Sequence, residues 1–90
     1  LGTLQVSLTG IDDAAKLWIF NSKHPDGYSP ADDSACQGNG SLTYDWLPEI
    51  VKGEINVIMV VHMDSNCAIS GLMFGDILAD GASVQTVTCN

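Results

Sequence analysis

The sequence predicts an all-β fold, a small antiparallel β-sandwich of about six strands with one long loop. Three observations lead there. Apolar residues alternate, or run together for a few positions, in segments bounded by turn formers. No segment sustains helical spacing. The best helical rival, residues 72–79, places Leu72, Met73, Ile77 and Leu78 on one face, but Gly71, Gly75 and Gly81 weaken it. Finally, 90 residues make room for one domain only. A small α/β sandwich is the alternative.

The first strand is Leu4-Gln5-Val6-Ser7-Leu8, which alternates strictly and is closed by Thr9-Gly10. Ile11-Asp12-Asp13 reads as a turn. Leu17-Trp18-Ile19-Phe20 is continuously apolar, as in a strand covered on both faces. Residues 21–40 then read as one long loop. They hold Pro25, Asp26-Gly27, Pro30, Asp32-Asp33 and Gly38-Asn39-Gly40, with almost no aliphatic side chain. A connection of that length is usually functional or tied down.

Ser41 to Leu47 resumes alternation, with Leu42, Tyr44 and Trp46 on one face. Pro48 to Gly53 fits one helical turn, with proline early and glycine as the stop. Glu54 to His62 reads as the central strand, apolar on both faces. Met63 to Asn66 is a turn, Cys67 to Phe74 a further apolar stretch, and Asp80-Gly81 a strong turn signal. Ser83 to Thr88 alternates once more.

Composition narrows function. Eleven acidic side chains face three lysines and no arginine, for a net charge of −8. Phosphate backbones demand the opposite sign, so nucleic acid is excluded as a partner. Docking on an anionic membrane surface is disfavoured for the same reason. The longest apolar run, Val57 to Val61, is far shorter than the roughly 20 residues of a membrane span. No membrane insertion is expected.

The chain starts at Leu1 rather than Met, so either a leader has been removed or the chain is a fragment. With three dispersed cysteines and no CxxC, this points to a secreted or cell-surface protein, extracellular or periplasmic, where a disulfide can persist. If the 41–47 and 54–62 strands form a hairpin centred near residue 50, residue 36 lies across from about residue 64. Cys36–Cys67 is therefore the preferred bridge. Cys89 is left for an intermolecular bond or a reactive thiol, although it could also pair with either of the others.

Metal and catalytic chemistry find little support. His62, Met63, Cys67 and Met73 offer copper-ligating types, but not in the order of a blue-copper site. Asp12-Asp13, Asp26 and Asp32-Asp33 supply oxygens without calcium-loop spacing. No Gly-x-Ser-x-Gly is present. A Cys67–His62 nucleophile pair competes with the favoured disulfide. The expectation is therefore no metal, no cofactor and no catalysis. Asn39-Gly40-Ser41 is a sequon for N-glycosylation. The 21–40 loop is the candidate binding segment, with Phe20 and Tyr28 flanking Lys23, His24 and Asp26.

Two stretches carry a resemblance. Residues 4–11, and Leu42 to Pro48 followed by Gly53 to His62, resemble secreted prealbumin-like β-sandwich domains of the transthyretin or Cna-B type. The second stretch is similar to their strand, Leu-Pro turn, Gly, strand, His pattern. The resemblance implies a structural or carrier module without chemistry. Size, processing and sparse cysteines also resemble small secreted fungal toxins and effectors. The functional expectation is a non-catalytic β-domain acting in binding or assembly within a homo- or hetero-oligomer. The alternative is a toxin- or effector-like protein that grips one partner through residues 21–40.

Overall fold

The computed structural model describes residues 2–63 and 74–84. Five strands and one short 3₁₀ turn are present among them: β1 (Leu4–Phe20), β2 (Tyr28–Asp45), the turn Leu47–Glu49, β3 (Val57–Met63), β4 (Phe74–Ala79) and β5 (Ala82–Ser83). All ladders are antiparallel. The fold is all-β, as the alternation indicates, and no α-helix occurs among the described residues.

β1 organises everything else. Its whole length pairs with β2 on one edge. On the other edge, Leu4–Thr9 pairs with β4, and Ala14–Phe20 pairs with β3. The two shorter strands therefore follow one another along the same side of β1.

β1 can be this long because of Gly10. Val6 and Leu8 are buried, and an uninterrupted strand would keep even-numbered residues inward. Gly10 instead adopts a φ of 66°, open to glycine without cost, and adds one residue opposite the step from Ser41 to Gly40. The inward set then becomes odd: Ile11, Asp13, Ala15, Leu17 and Ile19, all fully buried. Leu42 and Trp46 complete the core, and Ala31, Tyr44, Ile50 and Ile58 pack against it.

Several sequence expectations fail here for identifiable reasons. Residues 21–40 are not one long loop. Only residues 21–27 turn, and Tyr28 onward belongs to β2. β1 is the only partner of β2 among the described residues, which makes β2 an edge strand of the described sheet. Proline, paired aspartates and glycines suit such an edge and its bulges, yet read as loop in sequence. Pro30 sits where the register slips between Leu17 and Ile19. Residues 36–39 form a longer excursion, because Ile11 pairs with Gly40 while Asp13 pairs with Ala35.

The hairpin expected between 41–47 and 54–62 does not form. Gln5–Thr9 pairs with Ser41–Asp45, whereas β3 lies along Ala14–Phe20. Alternation in each strand says nothing about which strand it pairs with. The register argument for Cys36–Cys67 loses its premise, and Cys67 and Cys89 lie outside the described residues. Among the described residues β3 is also not central: β1 is, and β3 pairs with β1 alone. The 72–79 helical rival is overturned from Phe74 onward, where β4 runs. Asp80 and Gly81, with φ of 51° and 82°, make the two-residue turn into β5 that the sequence indicates.

Candidate functional site

The segment expected to bind a partner is tied to its own domain. Asn21 Nδ2 donates to the Glu49 carbonyl at 2.8 Å and to Asn56 Oδ1 at 2.9 Å, while Asn21 Oδ1 accepts from the His24 amide at 2.9 Å. His24 Nε2 lies 2.5 Å from Glu49 Oε2, and the His24 ring stacks on Tyr28 with centroids 4.8 Å apart. Lys23 Nζ donates to the Pro48 carbonyl at 3.1 Å and approaches Glu49 Oε2 at 3.8 Å. Both cationic-capable side chains of the turn are thus engaged by residues 48–49. The Phe20 ring covers Gly27, whose φ of +88° allows the close approach. Of the residues singled out in sequence, Lys23, Asp26 and Tyr28 are exposed, and Phe20 and His24 are half-buried. Asn39 is also exposed, on the excursion of β2.

Asn56 mirrors Asn21 on the facing segment. Its Oδ1 accepts from the Val51 amide at 2.9 Å and its Nδ2 donates to the Val51 carbonyl at 2.9 Å. Ser22 donates twice to Glu54 Oε1, from its amide at 2.9 Å and its hydroxyl at 2.6 Å. These two bonds hold the Glu54 carboxyl below the usual glutamate range. The result is a fixed negative charge shortly before β3.

β3 itself reads Val-Ile-Met-Val-Val-His-Met. Its only partner among the described residues is β1, so no described strand pairs along its far edge. Cross-strand pairing sorts its side chains. Val57, Met59, Val61 and Met63 lie beside Phe20, Trp18, Lys16 and Ala14, on the outer face. Ile58, Val60 and His62 lie beside the buried Ile19, Leu17 and Ala15.

Burial of this strand is poor for so apolar a sequence. Val57 is 52% exposed, and Met59, Val60 and Met63 are each 40% exposed. On the outer face, Lys16 Nζ sits 5.3 Å from the Trp18 ring centre, and Trp18 stacks on Phe20. On the inner face, a cavity of about 330 Å³ opens between β3 and β4. Val6, Leu8, Ile58, Val60 and Ile77 line it, and Ile77 is 38% exposed. At the end of β3, His62 Nε2 donates to the Asp12 carbonyl at 2.7 Å.

Sequence reasoning missed β3 as a site because apolar residues on both faces signal coverage on both sides. A signal was available nonetheless. Residues 55–63 carry no acid, no lysine and no proline, the guards that natural edge strands use. β2, another edge strand among the described residues, carries Pro30, Asp32 and Asp33. Among the described residues, no three His, Cys, Asp or Glu side chains gather as a metal site, and no helix is long and apolar enough to cross a membrane.

No family model matches the chain, and no curated protein or solved structure matches it at a significant level.

Proposed function

We propose that this chain is a non-catalytic β-domain of the secreted or cell-surface kind that works by binding or assembly, with β3 as its docking strand. One observation carries the reading: among the described residues this seven-residue apolar strand pairs along one edge only, and four of its side chains are 40–52% exposed. Extended partners add to such edges through main-chain hydrogen bonds, and alternate side chains supply selectivity. Free protein surface seldom carries so unguarded an edge without use. The prealbumin-like resemblance, which implies a structural or carrier module, supports the same class.

A photo-crosslinking side chain at position 59, compared with one at position 32 on β2, tests the proposal. Crosslinks to a protein partner or a second copy from position 59 and not from 32 are expected. Equal yields, or none from 59, would overturn it. Asp26 and Tyr28 keep a second reading in view, because both stay exposed on the clasped turn and the strand beside it. A probe at position 26 that outcompetes 59 would favour the effector-like alternative.

A further inference from the structure

Resting on the secreted reading of this domain, we infer that Asn39 carries an N-linked oligosaccharide. Five asparagines occur in the sequence, and only Asn39 is followed two residues later by a serine or threonine, with Gly40 between. The fold separates Asn39 from the other described asparagines in a second way. Asn21 and Asn56 are half-buried and spend both ends of their amides on hydrogen bonds within the domain. Asn39 is exposed, in the excursion by which β2 leaves Ala35 and rejoins β1 at Gly40.

Each of the three positions faces the way the modification needs. Gly40 is buried, and a Cβ there would lie 3.0 Å from Ile11 Cβ and 3.1 Å from Asp33 Oδ2. The middle residue thus packs inward, and its two neighbours are left outside. Ser41 is exposed, with its backbone fixed by a 2.7 Å hydrogen bond from its amide to Asp33 Oδ2. A glycan on Asn39 displaces no core side chain. Room for its bulk is at hand, since nothing described lies within 4 Å of a Cβ added at Gly38.

The neighbouring surface is built of short hydroxyl side chains. Val6, Leu8 and Leu42 are buried, so Ser7, Thr9, Ser41 and Thr43 share the opposite, outer face. Thr9 pairs with Ser41, and Ser7 pairs with Thr43, their hydroxyls 3.0 Å apart. Residues 37–44 carry no charge. Sugar hydroxyls can lie over such ground without burying an ion. β1 stands between β2 and β3, so the glycan and the proposed docking strand occupy opposite sides of the sheet.

The transfer balances with one co-reactant, an oligosaccharide joined through pyrophosphate to a polyprenol lipid, as the eukaryotic secretory route supplies. A bond forms from Asn39 Nδ2 to the anomeric carbon. The bond from that carbon to the pyrophosphate oxygen breaks, and one amide proton ends on the lipid pyrophosphate. The Ser41 hydroxyl completes the acceptor signal.

Intact mass of natively sourced protein, with and without peptide-N-glycosidase and with and without reductant, tests the assignment. The glycosidase step is run in heavy-oxygen water. The expected result is a set of masses spaced by hexose that collapses to one on treatment, with heavy oxygen incorporated at position 39. The isotope separates enzymatic release from spontaneous deamidation of the Asn39-Gly40 pair. In the chain secreted from yeast behind a leader, Asn39→Gln and Ser41→Ala should each lose the glycan and Ser41→Thr should keep it. All three should retain the parent circular dichroism spectrum. An unglycosylated native chain that holds a disulfide overturns the glycan and leaves the secreted reading standing. An unglycosylated native chain with three free thiols overturns both. A glycan that persists in Asn39→Gln overturns the site.

Discussion

Glu49 and His24 meet at 2.5 Å between Oε2 and Nε2, although 25 residues separate them in sequence. Their side chains are only 15% and 21% exposed. The contact pins the 21–27 turn to the 3₁₀ turn at Leu47–Glu49. Glu49→Ala removes the acceptor of His24 and the nearest carboxylate of Lys23 together. Hydrogen bonds to charged groups contribute roughly 1.5–3 kcal/mol when partly buried, so a loss of about 1–3 kcal/mol is expected in urea unfolding. Amides of residues 21–27 should exchange faster in the variant.

Gly27→Ala should be costlier than Gly53→Ala. Both glycines have positive φ, 88° and 83°, so each substitution is strained by roughly 1–2 kcal/mol. At Gly53 nothing stands within 4 Å of an added Cβ. At Gly27 that atom would lie 2.5 Å from Phe20 Cε2, so Phe20 must move as well. Thermal unfolding of the two variants, side by side, checks the order. Equal losses would mean that Phe20 yields freely.

Acid should loosen the domain at two ends. The Thr3 and Gly2 amides donate to Asp80 Oδ1 and hold its carboxyl below the usual aspartate range, as Ser22 does for Glu54. A carboxyl whose folded pKa is depressed binds its proton more tightly in the unfolded chain. Its contribution is therefore full above the ordinary carboxylate values, roughly 4, and is lost as pH falls through the folded ones. Melting temperature should fall below that point, and less steeply in Asp80→Asn. Tyr44 is shifted the other way. Burial first, then the charge of Glu49, raises its phenol. Its contribution is present below the ordinary tyrosine value, about 10, and is lost above it.

Intact mass with and without reductant addresses the proposed compartment. Any disulfide among Cys36, Cys67 and Cys89, within the chain or to another, fits the secreted or cell-surface reading. Three free thiols on natively sourced protein would count against it.

Strand content was legible because it depends on local alternation. Leu4–Leu8, Leu17–Phe20, Ser41–Asp45 and Val57–His62 all lie in strands, and Asp80-Gly81 turns. Pairing was not legible. Alternation fixes which residues share a face, whereas partner choice depends on packing that brings distant segments together. Gly10 shows the difference. In sequence it ends a strand, and in the fold it lets one strand continue with its inward parity changed. Tyr28 to Gly40 was hidden for the converse reason, since an edge strand tolerates residues that would break a central one. Of the candidate site, the uncharged run 55–63 could be read directly. Its position on an edge required the ladder of β1.

That ladder sets a timetable. β2, β3 and β4 all pair with β1, and Leu4 reaches Ala79 in register. Growing from the ribosome, the chain delivers this template strand before its partners, and β4 only after β2 and β3 have been made. The N-terminal half of β1 can pair with β2 early, but its opposite edge stays open until β4 emerges. Such distant pairings make for slow folding and a long-lived sticky intermediate. For this protein, the interval between synthesis of β1 and arrival of β4 is when misassembly is easiest, and when a chaperone would matter most.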